Sequence, residues 1–166
     1  MKIYPQVQGT IEFDERPLTV TDPGYDADTW CTVHTKIKPG KYTCVSFRGT
    51  ESYTINGKRH SDTRTWVIGI YLNGKIPTPK EWENPEIIGN IGVDAGLAGF
   101  YQDKPDFKDS DWFEFCEPFC RSGRARKHSR IDSYGFTSES GMGDGCYNVC
   151  AYRNKDKEII GLEVHF

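Results

Sequence analysis

"KYTCVSFRGTESYTINGKRHSDTRTWVIGIYLNG", Lys41 to Gly74, decides the fold. Its first nine residues alternate in period two. Tyr42, Cys44, Ser46 and Arg48 fall on one face, and Thr43, Val45 and Phe47 on the other. That is the period of a strand, not of a helix. Asn56-Gly57 comes next, and a type I′ turn needs positive φ at both central residues, so this dipeptide predicts a hairpin. Thr65–Gly74 returns as the most apolar run in the chain and ends on a second Asn-Gly. It predicts a central strand.

Working outward, strand-like pieces fill the rest of the chain. Thr10–Phe13 and Leu18–Thr21 flank the charged turn Asp14-Glu15-Arg16-Pro17. Trp30–Ile37 alternates in period two. Ile87–Asp94 and Leu97–Tyr101 surround Ala95-Gly96, and Asp132–Ser138, Cys146–Arg153 and Glu158–Phe166 complete the set. One helix is expected over 109–119, with Asp109 or Ser110 as N-cap and acids in its first turn. Trp112, Phe115, Cys116 and Phe119 would then share its apolar face, and Pro118 would limit or kink it. The expected fold is mainly β: one domain over 1–166, an antiparallel β-sandwich or half-open barrel with one short helix near 109–119.

The bulk properties narrow the function classes. The chain has 166 residues, enough for one core without staples. Only 36 % of residues are apolar but 13 % are aromatic, and 17 Gly and 9 Pro favour a turn-rich β protein over disorder. A net charge of −3 gives no global basic field, so nucleic acid is not an expected partner. No apolar run approaches the ~18 residues of a membrane span. The N-terminal stretch has no apolar signal core, so a cytoplasmic protein is expected, with its six cysteines reduced and mostly packed as small hydrophobes.

Five motifs occur in order: "TVTDPGYD" (Thr19–Asp26), "KPGKYTC" (Lys38–Cys44), "IGVDAGLAGFYQD" (Ile91–Asp103), the helix start "DFKDSDWFE" (Asp106–Glu114) and "SGMGDGCYNV" (Ser140–Val149). Together they resemble the domain-of-unknown-function family 4241, over most of the chain from Leu18 to Phe166. The resemblance implies an intracellular protein of bacterial or phage type. It implies no reaction, cofactor or partner. Cys146 and Cys150 depart from the family pattern, which argues against a family-wide metal site built on them.

Three aspartates stand in glycine-bearing turns: Asp22 in "TDPGY", Asp94 in "VDAG" and Asp144, between Gly143 and Gly145. Asp in a turn bonds its own backbone and Gly supplies positive φ, so local turn chemistry is sufficient to explain each. The functional alternative is convergence at one rim, with the carboxylates and the two glycines presented to a ligand or cation. Asp26 and Asp28 add oxygens to the first turn, but their spacing is not that of an EF-hand loop. Cys116/Cys120 and Cys146/Cys150 are each spaced C-x₃-C. On a strand that spacing is about 13 Å, too wide for one Zn²⁺, so no metal is expected. Arg121, Arg124, Arg126, Lys127 and Arg130, with His128, form a basic stretch that is either a solvated loop or a contact for an acidic partner. None of the four histidines falls in a recognised catalytic signature.

The expectation is a soluble, monomeric or weakly dimeric, non-catalytic binding module without cofactor. It would recognise a protein or small ligand, and an immunity-like or phage–host role would suit it. The alternative is a hydrolase with a carboxylate site at Asp22, Asp94 and Asp144, Mg²⁺-assisted in one form.

Overall fold

The structure, a computed structural model, describes residues 2–166. Eleven strands run in chain order: β1 (Ile3–Phe13), β2 (Leu18–Thr21), β3 (Val33–Thr35), β4 (Gly40–Ile55), β5 (Lys58–Leu72), β6 (Glu86–Val93), β7 (Leu97–Tyr101), β8 (Ser129–Asp132), β9 (Gly135–Glu139), β10 (Gly145–Arg153) and β11 (Ile159–His165). Helix α1 (Pro79–Glu83) lies between β5 and β6, and α2 (Asp109–Cys120) between β7 and β8. One sheet has the order β1-β4-β5-β11-β10-β6 and the other β3-β2-β7-β9-β8. All pairings are antiparallel. The two sheets pack face to face as a β-sandwich, with no closed barrel.

The alternation read from the sequence sets the layers. Tyr42, Cys44, Ile68, Ile70, Leu162 and Val164 of the larger sheet meet Leu18, Val20, Phe100 and Phe136 of the smaller one, all fully buried. The opposite face of the larger sheet is apolar as well. Val45, Phe47, Val67 and Tyr71 form a second cluster under Ile76 and Trp82 of the β5–β6 connection. Helix α2 covers the outer face of the smaller sheet, laying Phe115 and Phe119 on Leu97, with Trp112 and Cys116 beside them. This is the helix face read from the spacing.

Several local expectations shift. β1 begins seven residues before Thr10, and β3 keeps only three residues of the Trp30–Ile37 alternation, leaving Trp30 91 % exposed. Asp132–Ser138 is not one strand. A turn at Ser133-Tyr134 separates β8 from β9, so the basic stretch ends inside the smaller sheet. Lys108, not Asp109 or Ser110, occupies the N-cap of α2 and makes no side-chain cap bond; Asp109 instead sits at φ 43°. Helix α1 adds a second helix to the one expected, and Thr78-Pro79-Lys80-Glu81 carries its signal. Thr78 Oγ1 accepts from Glu81 N, Glu81 Oε2 accepts from Thr78 N, and Pro79 stands at N1.

Glu163, fully buried on the outer face of β11, fastens this connection to the sheet. Its Oε1 accepts from Tyr71 Oη at 2.5 Å and Trp82 Nε1 at 2.9 Å; its Oε2 accepts from Tyr152 Oη at 2.8 Å and lies 2.6 Å from His165 Nε2. A buried carboxylate without such partners would cost several kcal/mol. Burial and the Glu163 charge hold Tyr71 and Tyr152 protonated, far above the usual phenol range. Burial disfavours the charged His165 ring, but Cys150 and Glu163 beside it win, and its pKa is pushed up to about 9.

A histidine raised in the folded state stabilises the protein below its unfolded pKa of about 6.5 and loses that contribution as pH rises through the folded value. Unfolding stability should therefore fall by on the order of 1–2 kcal/mol between pH 6.5 and pH 8, a range below that in which thiols and phenols of the unfolded chain ionise. Urea denaturation across that range tests it, and in His165→Asn the dependence should largely vanish.

Candidate functional site

At one end of the sandwich an ion pair links the two sheets. Arg48 of β4 points inward, as its parity with Tyr42 requires, and its Nη1 donates to Glu139 Oε1 of β9 at 2.8 Å. Arg48 is only 6 % exposed. Its other bonds run to Thr65 Oγ1 at 3.0 Å and the Thr63 carbonyl at 3.3 Å. Glu139 receives two further groups from the stretch after α2. Arg126 Nη2 donates to Oε2 at 2.8 Å, and His128 Nδ1 lies 3.0 Å from Oε1. One carboxylate, 13 % exposed at its side chain, thus faces two guanidinium groups and an imidazole.

Above this floor lies a cleft of about 560 Å³. Leu97 and Phe119 give it an apolar wall, Arg64 and Arg126 a basic one, and Gly96, Gly141 and Gly143 bring backbone to its edge. Asp62 and Glu139 line it as well and pair with Arg64 and Arg126, so the walls are charge-balanced, with the Arg126 side chain half exposed next to apolar surface. Helix α2 turns Cys116 and Cys120 to the same cleft. Burial pushes the Cys116 thiol up to about 11, which keeps it protonated and a poor nucleophile.

The three aspartates do meet at one rim, through each other's backbone rather than through a shared ligand. Asp22 Oδ1 accepts from Gly24 N at 2.8 Å, and Oδ2 accepts from Asp94 N at 2.8 Å and Ala95 N at 2.7 Å. Burial lifts its carboxyl above the ordinary range despite these three donors. Asp144 Oδ1 accepts from Gly96 N at 3.1 Å, and Asp94 Oδ2 from Tyr25 Oη at 2.6 Å. In return, Ser140 N donates to Gly96 O at 2.8 Å, so the "VDAG" and "SGMGDG" loops are stitched together. Asp22, expected as a ligand-binding carboxylate, is fully buried, and its oxygens accept from three backbone amides. Asp94 and Asp144 stay exposed beside the cleft. Of the two glycines, Gly143 lines the cleft and Gly145 starts β10.

The glycines of "SGMGDG" answer to separate demands. A Cβ on Gly141 would stand 1.8 Å from the Thr65 carbonyl oxygen, so the loop presses its bare backbone against β5. Gly143 has φ 83° with open space around it, and needs glycine for conformation alone.

The basic stretch is not one patch. Arg121 pairs with Glu117 at 2.6 Å, and Arg130 grips Asp132 at 2.7 Å while lying 4.5 Å over the Phe115 ring. Arg124 and Lys127 are exposed and make no ion pair among the described residues. Arg126, with His128, is the member that reaches the cleft. Asp26 and Asp28 remain exposed on their turn. Among the described residues no three His, Cys, Asp or Glu side chains gather in a form able to hold a metal ion. All six cysteines are unpaired, Cys146 exposed and Cys150 buried. Arg48, Arg64 and Glu139 were not picked out from the sequence. An arginine at an inward strand position does signal a buried acid, but only the fold says which one.

Three substitutions test this account of the rim. Asp22→Asn sets an amide NH₂ against backbone N–H donors and should cost about 1–3 kcal/mol, whereas Asp144→Asn, exposed, should cost less than about 1 kcal/mol. Gly141→Ala should destabilise by about 2 kcal/mol or more, because backbone and not a flexible side chain is in the way. Chemical denaturation of the three variants measures all of it. Comparison of the chain with protein-family models, with curated proteins and with solved structures gave no match.

Proposed function

We propose that this protein is a non-catalytic binding module whose cleft above the Arg48–Glu139 pair takes a ligand, or a segment of a protein partner, carrying an acidic group. The observation that carries the reading is the floor: Glu139 holds Arg48, Arg126 and His128 in place, and Arg126 remains half exposed at the mouth. An incoming carboxylate or phosphate exchanges one partner of Arg126 for another without stripping a buried charge. Leu97 and Phe119 accept the apolar part. The hydrolase alternative is less well supported, since the rim aspartates are engaged by backbone amides and the Tyr25 hydroxyl. The module fits a cytosolic member of family 4241, the family its motifs resemble.

Calorimetric titration with a panel of aromatic and aliphatic carboxylates and phosphate esters tests the proposal. Arg126→Ala should weaken any binding found at least tenfold while leaving the melting temperature nearly unchanged, because its side chain is 48 % exposed. Arg121→Ala, whose partner is Glu117 on α2, should bind as the unmodified protein does. Equal binding by Arg126→Ala and the unmodified protein would remove the cleft from consideration.

A further inference from the structure

The hairpin β4–β5 outruns its neighbours. β1 leaves β4 at the Ile3–Gly49 pair, and β11 leaves β5 at His165–Val67. Beyond these points Thr50–Ile55 and Lys58–Thr63 pair only with each other, and every residue of that ribbon is exposed. At about 3.3 Å per residue it projects about 20 Å from the sandwich. A two-stranded ribbon is marginal alone, and both its edges are open to a further strand.

The two edges differ. The β5 edge carries Lys58, Arg59, His60 and Asp62, and charge of this kind discourages strand addition. The β4 edge, Thr50-Glu51-Ser52-Tyr53-Thr54-Ile55, has one charge and otherwise β-branched, aromatic or small residues, with Tyr53 37 % and Ile55 52 % exposed. The turn fixes which of its groups face out. Asn56 and Gly57 have φ of 50° and 76°, so Ile55 and Lys58 form the hydrogen-bonded pair that closes the two-residue loop. Pairing then alternates: Tyr53 and Glu51 bond inward to β5, and Thr54 and Ser52 turn their N–H and C=O outward.

We propose that this edge pairs with the same edge of a second copy, giving a two-fold symmetric, antiparallel dimer of arms. The register follows from the chain itself. Opposed residues must share a face, so some residue faces its own copy. Ile3 already fills the slot beside Gly49, which stops the second arm from sliding further along β4. The longest overlap left sets Tyr53 opposite Tyr53 of the second copy. Ser52 then exchanges backbone bonds with Thr54 of the second copy. Glu51 faces Ile55 of the second copy, so no like charges oppose. The same register on the β5 edge would crowd Lys58, Arg59, His60 and Asp62 against a second set of charges.

The test uses the full chain. Sedimentation should show a dimer whose fraction rises with concentration. Thr54→Pro removes an outward N–H and no hairpin bond, so it should keep the fold by circular dichroism and abolish the dimer; Tyr53→Lys should do the same through charge. With the exposed Cys120 and Cys146 changed to Ser, Tyr53→Cys should form a disulfide-linked dimer under mild oxidation, and Arg59→Cys should not. A chain that stays monomeric at the highest concentration reached overturns the proposal. So does a dimer indifferent to Thr54→Pro and Tyr53→Lys, or one that links through Arg59→Cys as readily as through Tyr53→Cys.

Discussion

The larger sheet is apolar on both faces across β4 and β5, and much of the remaining chain is arranged by the need to cover both. Tyr42, Cys44, Ile68, Ile70, Leu162 and Val164 demand a second sheet on one side. Val45, Phe47, Val67 and Tyr71 demand a cover on the other, which the short β5–β6 connection supplies with Ile76 and Trp82. Edge-on aromatic contacts, Phe47 against Trp82 at 4.7 Å and against Tyr71 at 6.2 Å, give that cover a defined orientation. Glu163 makes the attachment directional, because one buried carboxylate accepts from β5, β10 and the cover itself.

The same hairpin that anchors the core also builds the cleft. Its inward stripe runs Tyr42, Cys44, Ser46, Arg48, so the register that buries the tyrosine also delivers an arginine to one end of the sandwich. There Arg48 and Glu139 link the two sheets. Charge-assisted bonds are directional, and they fix β9 relative to β4 where no core side chain does. The loops above are rigid for a related reason. Asp22 ties the "TDPGY" turn to the "VDAG" turn, and Asp144 with Ser140 ties "VDAG" to "SGMGDG". The cleft therefore has a hydrogen-bonded glycine rim on one side and the half-exposed Arg126 side chain on the other.

The sequence by itself determined the strand-rich class, the Asn-Gly hairpin and the face of α2 that packs. Each is a local property: side-chain period, positive-φ chemistry, or helical spacing. Helix α1 has no periodic signature because it is five residues long, and only the Thr78–Glu81 capping pair marks it. The sequence overextended β3 because alternation at Trp30 implies burial, while tertiary packing left that indole in solvent. Only the tertiary structure decided what the aspartates do. A carboxylate in a turn can cap its own loop or a loop 72 residues away, as Asp22 does for Asp94, and no local rule separates these outcomes. The same holds for Arg48 and Glu139, 91 residues apart: parity shows that an arginine faces inward, but its partner is chosen by sheet order and register, which arise from long-range pairing.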